Sequence, residues 1–149
     1  YDPKYELIVR DYIERLVNTS SDDFRVIERD MYKILLEILE EKRVLGTVSS
    51  LEEKKGRDYL LAQLQKIATQ EAFLTKMKYE PHQHGDVLFL TGVGKVYPFM
   101  RSHKMLDSMQ QAFSDVPIVM FYPGEFNGQS LILFDKFHDG NYYRAFNLL

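Results

Sequence analysis

Cysteine is absent from the 149 residues, and so is tryptophan. Without a thiol there is no disulfide framework, no zinc-thiolate or iron–sulfur site and no cysteine nucleophile. Five prolines and eight glycines are too few for a collagenous or low-complexity chain. No apolar run approaches the roughly 20 residues of a membrane-spanning helix, and no stretch has the layout of a secretory signal. A soluble, cytoplasmic protein is expected. A dominant charge is missing too, since 19 Lys and Arg face 22 Asp and Glu for a net charge of -3. A general grip on nucleic acid or anionic lipid needs clustered excess positive charge, so neither is an expected partner. What remains, 45% hydrophobic and 28% charged residues, is globular in character. The length suits one domain over residues 1–149.

The charges crowd toward the N-terminal part. Residues 1–80 carry 16 acidic and 14 basic side chains; residues 81–149 carry 6 and 5, together with 12 of the 20 aromatics. The first part therefore reads as amphipathic helices and the second as a more buried, strand-rich region. Tyr5, Ile8, Val9, Tyr12, Ile13 and Leu16 follow helical spacing after Pro3, which suits a first turn. Met31, Ile34, Leu35, Ile38 and Leu39 repeat that spacing, with Asp30 placed to cap. Ser50 and Glu53 have the spacing of a capping box ahead of Tyr59, Leu60, Leu64 and Ile67, and Gly56 is a place for that helix to break. Thr69 is placed to cap a short helix through Met77, which Pro81 ends.

Phe24 to Ile27 reads as a short strand. Val87-Leu88-Phe89-Leu90 is a continuous apolar run, as expected for a strand buried on both faces of a parallel sheet. A helix is predicted from about Pro98 to Phe113, with Tyr97 still in the loop because pre-proline residues avoid helical angles. Pro117 to Phe121 is a further strand, closed by a turn at Tyr122-Pro123-Gly124-Glu125. Leu131 to Phe134 and Tyr142 to Leu148 follow as strands around a turn at Asp139-Gly140-Asn141, either paired antiparallel or added separately. This alternation predicts an α/β fold, with a mostly parallel sheet and helices on both faces in a Rossmann-like three-layer arrangement.

Gly92-Val93-Gly94-Lys95, between a strand and a helix, invites comparison with a phosphate-binding loop. The pattern fails at Phe89, where a first glycine belongs, and at Val96, where a hydroxyl belongs. A dinucleotide fingerprint fails at Tyr97. A tight turn that exploits glycine is the simpler reading, and no cofactor is expected. Ser102 and His103 are helix neighbours that point apart, so they make no nucleophile–base pair. His103 reads as a partly buried, hydrogen-bonded residue. Arg101 is a cation near a helix N-terminus, where the dipole does not favour it; Glu125 is its candidate partner. His82 and His84 could bind a metal with Asp86 if the loop folds back, but alternating histidines in a polar linker read as solvated turn residues in preference to metal ligands. Ligands of open α/β sheets gather outside the carboxyl ends of the strands. That singles out Lys95, Arg101, Tyr122, Glu125 and Asn127, without base–nucleophile or metal spacing. Tyr142 and Arg144 add an aromatic, cationic stretch suited to a protein partner.

Three segments carry a resemblance that extends over essentially the whole chain. They are Phe89-Leu90-Thr91-Gly92-Val93-Gly94-Lys95-Val96-Tyr97-Pro98-Phe99-Met100-Arg101-Ser102-His103, Val119 to Leu131 with Phe121-Tyr122-Pro123-Gly124-Glu125-Phe126-Asn127-Gly128, and Asp139-Gly140-Asn141-Tyr142-Tyr143-Arg144-Ala145-Phe146. Their order and spacing resemble the BrxB-like family, small components of the bacteriophage exclusion (BREX) defence systems. The resemblance implies a non-catalytic part in defence, as an adaptor or scaffold for another BREX protein. The implied partner is the alkaline-phosphatase-like component PglZ. It also implies an apolar strand ahead of Asp2-Pro3, so the sheet is expected to lack its first strand in this chain. The alternative from the residues alone is a degenerate nucleotide-binding or small-molecule-sensing module using Lys95 and Arg101.

Overall fold

The predicted helices form, and among the described α-helices two begin at a side-chain cap, at Asp30 and Thr69. A computed structural model of the chain describes residues 1–19, 21, 23–141 and 145–148. Asp2 accepts a hydrogen bond from the Lys4 amide and starts a 3-10 turn at Pro3–Tyr5. That turn runs into α1 (Glu6–Asn18). Strand β1 (Arg25–Asp30) follows. Asp30 ends it and caps α2 (Met31–Glu41) by accepting from the Tyr32 and Lys33 amides. Next come α3 (Val48–Lys55) and α4 (Arg57–Ile67). Gly56 separates them with φ 83° and ψ 167°, angles that a residue with a Cβ rarely adopts. Helix α5 (Gln70–Met77) starts at Thr69, whose hydroxyl accepts from the Ala72 amide.

The second part holds β2 (Asp86–Thr91), a 3-10 turn at Val93–Val96, α6 (Ser102–Ala112) and β3 (Ile118–Met120). Three further strands follow, β4 (Gly124–Phe126), β5 (Leu131–Leu133) and β6 (Phe137–Asp139). Strands β1, β2 and β3 make a parallel sheet in that order, with Val26 opposite Val87 and Leu88 opposite Ile118. Strands β4, β5 and β6 make a separate antiparallel sheet.

Helices cover both faces of the parallel sheet. On one face Val9, Ile13, Leu16 and Val17 of α1 meet Val26, Phe89, Val119 and Phe121. On the other, α2, α4, α5 and α6 enclose the larger core, in which Phe73, Met77, Leu88 and Met109 have no solvent contact. Leu131 and Leu133 of β5 belong to that same buried cluster and fasten the antiparallel sheet to it.

Several expectations need correction. Ser50 and Glu53 do not form a capping box, because α3 begins earlier at Val48 and the Ser50 hydroxyl donates to the Thr47 carbonyl. Val48 and Leu51 pack on the core, and that burial sets the start. Helix α6 begins at Ser102 and not at Pro98. Gly92 enters a left-handed conformation (φ 67°) and starts a 3-10 turn directly after β2, and Tyr97 and Arg101 stay extended. Gly124 and Glu125 lie in β4 and do not close a turn. The hairpin turn is at Phe134-Asp135-Lys136, not Asp139-Gly140-Asn141. Phe134 and Asp135 take φ 52° and 57°, and the Lys136 amide donates to the Leu133 carbonyl. The partner of β5 is therefore β6. Of the expected strand Tyr142 to Leu148, residues 142–144 lie outside the described residues and 145–148 form no strand. The C-terminal strands do pair antiparallel, but as their own sheet.

Candidate functional site

The carboxyl edge of the parallel sheet is where an α/β protein would hold a ligand, and here side chains of the chain itself occupy much of it. The buried Thr91 hydroxyl donates to Glu28 Oε1 at 2.7 Å, tying the ends of β2 and β1 together. Beyond it, a Cβ on Gly92 would lie 2.4 Å from Asp30 Oδ1. The same oxygen caps α2, so Gly92 is a glycine because a capping carboxylate sits against it. A Cβ on Gly94 would lie 2.6 Å from the Phe134 ring and 2.8 Å from Pro123. The Lys95 amide turns back to the Gly92 carbonyl at 3.0 Å. The cavity under this loop measures about 10 Å³ and is lined by apolar side chains apart from Ser102. That is about the least space that holds one water.

The N-terminal residue closes the same edge from another side. The Tyr1 ammonium donates to the Tyr122 carbonyl at 2.9 Å, and the Gly124 amide donates to the Tyr1 carbonyl at 2.8 Å. Burial, and then the hydrogen bond to the Glu6 carboxylate, push the Tyr1 phenol well above its usual range.

Of the residues singled out from sequence, Lys95, Arg101 and Glu125 are exposed near this edge. Arg101 and Glu125 are not among the ion pairs of the described residues. Asn127 is exposed, and its carbonyl oxygen accepts from the Gln129 and Ser130 amides, which holds the turn between β4 and β5. Tyr122 is 7% exposed and its side chain lies in the main core. Its placement on a free surface is corrected: the ring is spent on packing. Tyr142 and Arg144 lie outside the described residues. His103 Nδ1 is 3.0 Å from the Asn141 side-chain nitrogen, the arrangement of an amide donating to an unprotonated ring nitrogen. His82 is not a solvated turn residue. It is 2.8 Å from Asp115 and stacks on Phe113 at 5.6 Å between ring centres. Among the described residues no three His, Asp or Glu side chains come together as a metal site.

Two features were missed. At the opposite edge of the sheet, Asp86 is fully buried and takes both Arg25 Nε and Nη2 at 2.8 Å. It also accepts from Tyr79 Oη at 3.0 Å and the Gln83 amide at 2.9 Å. The Arg25 guanidinium, helped by these donors, holds the Asp86 carboxyl far below the usual carboxylate range against the opposing effect of burial. Burial first, then the bond to Asp86, pushes the Tyr79 phenol up to about 12. The group is saturated, with no open side for a substrate, and its work is structural. The second feature is an apolar lip beside Lys95. Phe134 packs on Gly94 and Phe137 packs on Tyr97 at 5.1 Å, yet the two rings stay 36% and 46% exposed. The run Phe134-Asp135-Lys136-Phe137 is a visible signal in the sequence, two aromatics around two charges, but it cannot be read without the position of the turn.

The family model described as BREX protein BrxB matches residues 27–148. The chain is 44% identical over 156 aligned positions to a BREX protein BrxB of Bacillus cereus (strain H3081.97), covering all of this chain and 80% of that protein. It is 30% identical over 152 positions to a BREX protein BrxB of Escherichia coli O9:H4 (strain HS), covering all of this chain and 75% of that one. No solved structure matches, so the Rossmann-like description rests on no structural relative. What is shown is a mixed α/β fold with one parallel and one antiparallel sheet.

Proposed function

The chain belongs to the BrxB family of BREX proteins, and from that membership we propose that it is a non-catalytic adaptor that binds another protein of the defence system. The partner proposed is the alkaline-phosphatase-superfamily component PglZ. The observation that carries this reading is the occupied carboxyl edge. The position that would cradle a phosphate has a carboxylate (Asp30) on its first glycine and a phenyl ring (Phe134) on its second. The Lys95 amide, turned back to the Gly92 carbonyl, and the neighbouring Asp30 carboxylate both disfavour an anionic ligand. The Gly92–Tyr97 loop instead has two half-exposed phenylalanines packed on it, Phe134 against Gly94 next to Lys95 and Phe137 against Tyr97. Exposed aromatics flanked by charge are typical of the centre and rim of a protein interface.

The test is co-expression with the PglZ-like protein of the same genome, followed by purification through a tag on either partner. The adaptor reading expects a complex of fixed stoichiometry, weakened about tenfold or more by Phe137→Ala combined with Lys95→Glu. That is the scale of losing an anchor worth more than about 1 kcal/mol. Thermal melting of the free chain should be unmoved by ATP or GTP with magnesium. A melting shift of several degrees that Lys95→Ala removes would instead support the nucleotide-sensing alternative.

A further inference from the structure

We infer that the outer edge of β6 is a strand-addition site, where an extended segment of the protein partner pairs as one more strand of the antiparallel sheet. The partner itself rests on the adaptor reading; what is added is the mode of recognition, backbone against backbone with an apolar side chain beside Phe137.

The ladder of this sheet fixes which groups face outward. The Phe134 amide donates to the Pro123 carbonyl at 2.8 Å and the Asn127 amide to the Ser130 carbonyl at 3.2 Å. Both rungs continue the register in which Glu125 lies opposite Ile132. Hydrogen-bonded pairs alternate with non-bonded ones along an antiparallel ladder, so Glu125 and Ile132 are the bonded pair between those rungs. The backbone groups of Ile132 are thereby turned to β4. Those of Leu131 and Leu133 are turned to β6, where they meet Asp139 and Phe137. His138, opposite Ile132, is left with its N–H and C=O pointing away from the sheet. Among the described residues no hydrogen bond reaches either group. The other edge differs, because the Gly124 amide of β4 donates to the Tyr1 carbonyl. Unpaired backbone groups on a strand edge are a template for a second chain, and strand addition is a recurrent way of binding extended segments.

The side chains define what such a segment carries. Residues opposite each other in a sheet share a face, so Phe137 and Leu133 lie on the same side. Leu133 is 5% exposed, yet Phe137 is 46% exposed. Leu133 flanks Phe137 on the β5 side, and on the other side β6 has no neighbouring strand. In either direction of the added strand, one residue bonds to His138 and the next stands opposite Phe137. An apolar residue there extends the cover that ends at Phe137. A three-residue edge offers few backbone bonds, so this contact supplies the affinity and His138 the register. The Phe134 ring on Gly94 and the Phe137 ring on Tyr97 already hold the hairpin in place, which limits the ordering cost of binding.

His138→Pro is the test, with His138→Ala as its control. Proline removes the outward N–H without touching the rungs to β5, and edge strands tolerate proline at such a position, so the variant should melt as the wild type does. Purified PglZ-like protein of the same genome should bind His138→Pro about tenfold or more weakly than the wild type, while His138→Ala, which keeps the N–H, retains the affinity. In the wild-type complex the His138 amide should exchange about tenfold or more slowly than in the free chain, a reading that holds even where proline disturbs the fold. A wild-type complex with unchanged exchange at His138, equal binding by folded His138→Pro, or equal losses in both variants overturns strand addition and leaves the adaptor reading standing. Absence of any complex overturns both. Protection of His138 already present in the free chain and fading on dilution would give the edge to a second copy of this chain, and overturns the inference as well.

Discussion

At the scale of single residues the account turns on two positions, Asp86 and Gly94. Asp86 accepts four hydrogen bonds in a fully buried site, two of them from Arg25, whose side chain is 38% exposed. Removing one partner of a buried pair costs about 3–5 kcal/mol, and the exposure of Arg25 puts Asp86→Asn near the low end, roughly 3 kcal/mol. Chemical denaturation measures this directly. Tyr79→Phe, which removes a single donor, should cost about 1 kcal/mol. The sign of the pH dependence follows from the lowered pKa of Asp86. Its contribution is complete above the unfolded carboxyl pKa of about 3.9 and is lost as pH falls from there toward the lower folded value. Denaturation midpoints of the wild type and Asp86→Asn should therefore converge on acidification below about pH 4, and a difference that persists would contradict this role. At Gly94 an added methyl meets the Phe134 ring. Gly94→Ala should cost about 1–3 kcal/mol as an overpacked site, while Lys95→Ala, exposed on the same loop, should stay within about 0.5 kcal/mol. A phosphate cradle would show the reverse priority, with Lys95 decisive for ligand and Gly94 for none of the packing.

At the scale of elements, legibility follows from the range of the interaction that decides. Helices set by local spacing and caps were readable: Asp30 and Thr69 cap as their types suggest, and Gly56 breaks a helix as glycine can. The continuous run in β2 announced a strand buried on both faces, and its hydrogen-bonded neighbours on either side agree. Asp30→Ala removes the α2 cap and should lower stability by about 1 kcal/mol, measurable as a shift in denaturation midpoint. It also clears the carboxylate from Gly92, so it should make Gly92→Ala less damaging than in the wild type, a coupling that a double-mutant cycle detects. The elements that could not be read were set at long range. Arg25 and Asp86 are 61 positions apart and meet only because the β1–β2 register puts them opposite each other. Phe134 takes a left-handed angle that its residue type does not favour. It is held there by its amide to the Pro123 carbonyl and its ring on Gly94. Of the candidate site, Lys95, Arg101 and Glu125 are exposed, as charged residues commonly are, while the burial of Tyr122 and the half-exposure of Phe137 awaited the packing.

At the scale of the whole molecule, two sheets share one core, to which Leu88 and Leu90 of one and Leu131 and Leu133 of the other contribute. The hairpin of β5 and β6, leaning on the Gly92–Tyr97 loop, carries the exposed aromatics. No helix of the described residues is long and apolar enough to cross a membrane. Membership of the BrxB family makes the molecule a BREX component. In the adaptor proposal the binding falls to the surface around Phe134, Phe137 and Lys95. The most direct measurement is a titration of purified PglZ-like protein from the same genome into this chain, followed by calorimetry, with Phe137→Ala/Lys95→Glu alongside. The account predicts a saturable complex for the wild type and about tenfold or greater weakening for the variant at unchanged folding stability. Absence of heat and of a complex with the wild type, or identical binding by the folded variant, would contradict it.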